Sequence, residues 1–225
     1  MRGTIYGKLN ERQGLSFNLQ SHSFGLSLGR DFDAFDVGID YVYNYMTLEH
    51  DDFLRLQSIS PRIGYSIRED LYASVSYWYQ NKDFRQEVNE PRDGDNHSAG
   101  FDIFYFFWSN KAYLQLAYRF EDENTKGDEY DYKGHIVNAA LRLPAPLQSN
   151  LRLAFKYHLK DYDNITPSIG VEREDSKKAY NIRWTKNMGK YFELKMDYEY
   201  TDSDSNLESV DYTKNVFFIA LSFKI

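Results

Sequence analysis

The chain has 225 residues, a net charge of −7 and no cysteine. The acidic balance excludes a nucleic-acid partner, which calls for a basic patch, and the missing thiols exclude disulfide frameworks and cysteine-based metal or nucleophile chemistry. Mean hydropathy is −0.67, yet 17% of the residues are aromatic, with 20 Tyr and 16 Phe; apolar carbon is spread thinly, and no run approaches the roughly 18 apolar residues of a membrane helix.

The opening MRGTIYGKLN has no apolar stretch of the signal-peptide kind. It runs straight into strand-like sequence, which points to a longer N-terminal part ahead of it. From there a period of two recurs along the chain, the mark of half-buried strands. Twelve strands are expected, near residues 2–9, 17–29, 34–48, 54–67, 71–83, 95–107, 112–123, 130–144, 150–161, 177–187, 191–203 and 210–225. In the fifth, Leu71, Ala73, Val75, Tyr77 and Tyr79 oppose Tyr72, Ser74, Ser76, Trp78 and Gln80. The seventh sets Leu114, Leu116, Tyr118 and Phe120 against Tyr113, Gln115, Ala117 and Arg119. The ninth sets Leu151, Leu153, Phe155, Tyr157 and Leu159 against Arg152, Ala154, Lys156, His158 and Lys160. In the eleventh, Phe192, Leu194, Met196, Tyr198 and Tyr200 oppose four charges, Glu193, Lys195, Asp197 and Glu199.

Short connections (GRDFDAF, IREDLY, WSNKAY, PAPLQSN, NMGKYF) alternate with long acidic ones (LEHDDF, NKDFRQEVNEPRDGDNH, EDENTKGDEYD, KDYDNITPSIGVEREDSKK, TDSDSNLESVDY). The short ones hold the Pro, Gly, Asn and Ser of tight turns. Transmembrane barrels have this asymmetry, with short periplasmic turns and long outer loops. The pattern predicts one all-β domain over 1–225, an antiparallel up-and-down transmembrane β-barrel of about twelve strands in a bacterial outer membrane. The even strand number puts both termini on the short-turn, periplasmic side. Alternation alone would equally fit a soluble sandwich or lipocalin-like barrel with its apolar side inward. Strand number, connection asymmetry and aromatics near strand ends on the apolar parity favour the membrane. Tyr79, Phe84, Trp108, Tyr198 and Tyr200 are the expected interfacial aromatics.

The polar parity is then expected to line a lumen, with Arg119, Arg142, Arg152, Lys156, His158, Lys160, Glu193, Lys195, Asp197 and Glu199 as its charged residues. Rings of charge set selectivity in pores, and the basic ninth strand would favour anions. Against this stands mutual pairing of the basic ninth and acidic eleventh strands, which would fill the lumen, since buried charges are expected to be paired. Five histidines invite an enzyme reading, in SHS (His22), NHS (His97) and HDD (His50) among others. No accompanying constellation of nucleophile, base and orienting group is visible, so no enzyme is expected, and no cofactor or metal. The acidic loops lack the ligand spacing of a calcium loop. Outer-membrane lipid and lipopolysaccharide are expected partners, with Arg85, Arg92, Lys126, Lys177 and Lys178 placed to meet phosphates.

Four blocks carry a family resemblance: LQSHSFGLSLGRDF, RDGDNHSAGFDIFYFF, KGDEYDYKGHIVNAALRLP and the closing DYEYTDSDSNLESVDYTKNVFFIALSFKI. Together they resemble the C-terminal barrel that follows periplasmic tetratricopeptide repeats in Gram-negative surface lipoprotein assembly modifiers and exopolysaccharide-export proteins. The resemblance implies a final strand read by the barrel-assembly machinery, here Phe217, Ile219, Leu221, Phe223 and Ile225. It departs from the usual pattern by ending on Ile225 rather than an aromatic and by holding Ala220 where a glycine is usual. It also implies a periplasmic tetratricopeptide domain or export partner. The function expected is an outer-membrane transport or export channel that passes or helps to place a polymer, a lipoprotein or a small solute. The alternatives are a non-conducting anchor barrel with a plugged lumen and a barrel hydrolase acting on lipid or peptide.

Overall fold

Backbone hydrogen bonds join every strand of the chain to its sequence neighbours. The computed structural model describes residues 2–13, 18–189 and 191–223, the first strand by its backbone alone. Twelve antiparallel strands follow one another in a single sheet: β1 (Arg2–Gln13), β2 (Asn18–Asp31), β3 (Phe35–Leu48), β4 (Asp51–Arg68), β5 (Leu71–Phe84), β6 (Gly94–Phe107), β7 (Ala112–Thr125), β8 (Tyr132–Ala145), β9 (Ser149–Thr166), β10 (Val171–Met188), β11 (Phe192–Ser205) and β12 (Tyr212–Phe223). Three short 3₁₀ segments, Glu87–Arg92, Asp128–Tyr130 and Glu208–Val210, tip three of the hairpins. No described helix is long and apolar enough to cross a membrane. The start of β1 and the end of β12 both lie at the short-turn end, since Arg2 pairs with Gly29 and Phe223 with Phe192.

Strands run longer at the far end than the sequence reading placed them. Segment 160–178, read as a long loop, is paired up to Thr166 and again from Val171, so its tip is only residues 167–170. LEHDDF, also read as long, is a two-residue turn at Glu49 and His50, whose φ values of 54° and 80° are those of a tight hairpin turn. The acidic residues that looked like loop are solvated strand. Backbone pairing carries the hairpins beyond the apolar zone, and there the outward face turns polar too, with Asp122, Lys133, Asp161 and Asp202 on it.

Contacts between strands that are not neighbours reveal which face is concave. Next-but-one strands lie about 10 Å apart in a flat sheet, yet Asp36 (β3) meets Tyr72 (β5), Lys82 (β5) meets Glu123 (β7), Trp78 (β5) meets Arg119 (β7) and Glu121 (β7) meets His158 (β9). All of these side chains share one parity through the strand register. The opposite parity holds Val75, Phe101, Leu116, Val137, Ile182 and Met196, all more than a third exposed. The inside is polar instead: Ser74, Ser76, Asn96, Ser98, Glu121, Glu123, Thr201 and Ser203 are buried. This is the inverse of a soluble barrel. Apolar patches of such extent do not face water on soluble monomers, and here they face lipid. The soluble alternative left open by periodicity is thereby removed.

Candidate functional site

The concave wall has two built regions, one at each end. At the far end, Lys82 reaches over β6 to Glu123, which also accepts from Asn96 Nδ2 at 2.9 Å; Ser98 donates to Asn96 Oδ1 at 2.6 Å. Glu121 lies 2.9 Å from His158 Nε2. Arg119 stacks 3.5 Å over the Trp78 ring. Lys160 sits 3.9 Å over the Tyr132 ring, and Arg173 lies 4.6 Å over Tyr162 while donating twice to Asp175 at 2.8 and 2.6 Å. Of these, Lys82, Glu123, Tyr132, Lys160, Tyr162, Arg173 and Asp175 line a cavity of about 470 Å³. Arg92, from the 3₁₀ segment after β5, closes over Phe84 at 4.9 Å. Lys126 ties the β7–β8 tip to that segment through Glu90 (2.8 Å) and Asp93 (3.1 Å). Its ammonium is held above the ordinary lysine range first by Glu90 and then by Asp93.

At the short-turn end one register row crosses seven strands: Phe106, Tyr113, Arg142, Arg152, Arg183, Asp197 and Phe218, on β6 to β12 in order. Three arginines stand directly side by side. Arg183 and Asn181 both donate to Asp197. No carboxylate is within ion-pair distance of Arg142 or Arg152 among the described residues. Beside them a hollow of about 340 Å³ has Arg152, Lys156, Arg183 and Glu199 around a floor of Ala140, Ala154 and Ala179. Further round the same face, Asp36 accepts from Arg62 (2.7 Å) and from the Tyr72 hydroxyl (2.8 Å). Tyr72 lies across Gly64, where a Cβ would collide with its hydroxyl. Gly64→Ala is therefore expected to displace Tyr72 and cost about 1–3 kcal/mol through lost hydrogen bonds. Urea unfolding of the lipid-inserted protein measures it, and Tyr72→Ala in the same chain should remove most of the added cost of the methyl group.

The ten charged residues picked from sequence all fall on the concave parity. Among the described residues no ion pair joins the ninth strand to the eleventh; Asp197 of the eleventh is taken by Arg183 of β10. Among the described residues Lys156 and Lys195 make no ion pair, whereas Glu193 lies at the short-turn end opposite Asn187. Of the expected interfacial aromatics, Tyr79, Tyr198 and Tyr200 are on the outward parity, and Trp108 is in the β6–β7 turn. Phe84 is a correction. It is buried on the inside, lining the far cavity, because five residues separate it from Tyr79 and an odd offset along a strand reverses the face. Phe217, Ile219, Leu221 and Phe223 point outward on β12, and Ile225 lies outside the described residues. The outward histidines pack on tyrosines, His97 on Tyr77 and Tyr79 and His135 on Tyr118, and His22 lies 6.2 Å from Tyr45. Sequence reading missed Arg62, Lys82, Glu121, Glu123, Arg173, Asp175 and Arg183. The parity rule would have found those flanking its chosen strands.

A family profile described as "Surface lipoprotein assembly modifier" matches residues 1–224. The chain belongs to the surface lipoprotein assembly modifier family. No protein of curated function matches it in sequence. Structurally, this family member is similar to OmpT, an outer membrane protein of Vibrio cholerae, with a TM-score of 0.53 and 8% identity over 99% of this chain and 95% of that one. It is also similar to the siderophore receptor PirA from Pseudomonas aeruginosa, with a TM-score of 0.52 and 10% identity over 99% of this chain and 40% of that one. A third similar structure is OccAB2 from Acinetobacter baumannii, with a TM-score of 0.52 and 12% identity over 98% and 67%. The chain thus spans two-fifths of the PirA receptor's length. At such identities the likeness bears on fold alone: the surface lipoprotein assembly modifier barrel is an outer-membrane β-barrel.

Proposed function

We propose that this barrel helps to place a surface lipoprotein across the outer membrane, its concave wall forming the polar route. The observation that carries the reading is an excess of cations at the short-turn end, where Arg142 and Arg152 have no carboxylate within ion-pair distance among the described residues, in a chain of the surface lipoprotein assembly modifier family. Structural filler charge would be neutralised in place, whereas a wall that meets passing cargo keeps its charges available. The short-turn end, with both termini, is the periplasmic side in this reading, and a periplasmic tetratricopeptide domain would deliver cargo there. Outward Tyr79, Tyr198, Tyr200 and turn residue Trp108 form the interfacial belts, β12 is the segment read by the barrel-assembly machinery, and the far-end lysines and arginines meet lipopolysaccharide. No catalytic step belongs to this reading.

Cells that carry a surface lipoprotein test it. Deleting the gene should cut protease-accessible lipoprotein on intact cells while leaving its total amount unchanged, and the gene on a plasmid should restore it. Unchanged display would sink the proposal. The far-end network favours a second feature, a resting state closed at that end by the strand-skipping links Lys82–Glu123 and Glu121–His158. In planar bilayers the resting protein should then pass little current. Any current that opens on Glu123→Gln should be anion-biased and should lose that bias in the added presence of Arg152→Glu and Lys156→Glu.

A further inference from the structure

We infer that the arginine row at the short-turn mouth is a docking strip for an extended acidic polypeptide segment, its carboxylates on Arg142 and Arg152 and its apolar side chains on the aromatic residues at either end. The inference rests on the proposed role in lipoprotein placement for the reason a polypeptide should be there, but its geometry stands by itself. Like charges directly opposite one another on a sheet destabilise it. Here three guanidinium groups are so placed, on β8, β9 and β10, and the wall supplies one carboxylate, Asp197, to the last of them. The strip therefore keeps an unmatched charge of two in a single line, and planar guanidinium forks bind carboxylates in pairs of parallel hydrogen bonds.

The flanks decide the ligand class. Phe106 and Tyr113 precede the arginines on the same register row, their rings 6.1 Å apart, and Phe218 follows them, 55% exposed on the concave side. A lone phosphate has no use for aromatic surface at both ends of an arginine line, and the lipoprotein-assembly family points to a polypeptide rather than an acidic sugar. An unfolded chain that mixes acidic with apolar residues uses both. The row covers six strand spacings, about 29 Å along the wall, the reach of about nine residues of extended chain. The hollow over Ala140, Ala154 and Ala179 lies beside Arg152 and Arg183 and leaves room for side chains that do not meet an arginine.

The test uses the purified barrel in detergent micelles and a fluorescein-labelled synthetic nonapeptide alternating Glu with Leu and Phe, followed by anisotropy. The wild-type protein should bind it. The same peptide with Gln for Glu should bind at least about tenfold more weakly, and so should the glutamate peptide to the Arg142→Gln/Arg152→Gln double variant, each lost charge-assisted contact being a factor of about ten or more. That variant should also melt no lower than wild type, because removing opposed like charges relieves the sheet. Equal binding of the two peptides, or of the two proteins, overturns the inference. Competition by inorganic phosphate at the same concentration as unlabelled peptide overturns the polypeptide assignment. A melting temperature that drops with binding marks the arginines as structural and also overturns it. If the peptide binds as described while gene deletion leaves lipoprotein display unchanged, the proposed function fails and the docking strip stands; if display depends on the gene and the peptide does not bind, the strip alone falls.

Discussion

Glu123→Ala is expected to destabilise the inserted barrel by about 3 kcal/mol or more, the cost of leaving one partner of a buried ion pair alone. The Glu123 side chain is 3% exposed and holds Asn96 on β6 and, across β6, Lys82 on β5. Its removal leaves the ammonium of Lys82 and the amide of Asn96 facing a wall that offers no replacement. Replacing both charges together, Lys82→Met with Glu123→Leu, should recover most of the loss, since apolar groups of similar volume satisfy the space without demanding a partner. Lys126→Ala, which removes a pair at 2.8 Å on an exposed loop tip, should leave stability unchanged, as exposed pairs contribute little. Urea titration in lipid vesicles, followed by tryptophan fluorescence, reports all three. A Glu123→Ala protein as stable as wild type would show that water reaches this network freely.

A second large effect is expected from the outer surface. Val75 is 65% exposed and pairs across to Phe101 near the middle of the apolar zone. Val75→Arg should cost about 2–4 kcal/mol, the price of a charge on the lipid face of a barrel strand near the bilayer midplane. Gln80→Arg, on the same strand but the opposite parity, should cost little because that side chain meets the polar interior. Folded and unfolded fractions separate by their mobility on unheated gels after refolding into vesicles. Similar losses from both substitutions would mean that the two faces do not differ in their surroundings, and the barrel reading would fail with them.

Most of the fold was legible because parity is a local property. YFELKMDYEY states by itself which side chains share a face, and repeated strands with alternating connections state that the chain is a meander. What the alternation could not state was which face is inside. Both a soluble and a membrane barrel obey it, and the answer came from Asp36 touching Tyr72 and Lys82 touching Glu123 across an intervening strand. Strand ends at the far side were read too short, because strand beyond the membrane has no apolar outward face to mark its period. The ten candidate wall residues were legible for the same reason as the fold. Their partners were not, since pairing depends on register, and register is fixed by turn geometry one hairpin at a time. Arg183 shows this well: nothing in NIRWTKN marks it as the residue that stands between Arg152 and Asp197.

Among the described residues every backbone bond in this sheet links strands adjacent in sequence, whereas several key side-chain links skip a strand. The two facts together imply an order of assembly. A hairpin can form by itself, and low sequence separation makes such pairing fast, but it stays reversible while its skipping partner has yet to arrive. Lys82 on β5 gains Glu123 only when β7 is laid down, Glu121 gains His158 only with β9, and Asp36 is secured by Tyr72 only with β5. β5, β7 and β9 thus each latch the strand two places behind. The wall would act as a ratchet for its own insertion, advancing by hairpins and resisting withdrawal by more than one.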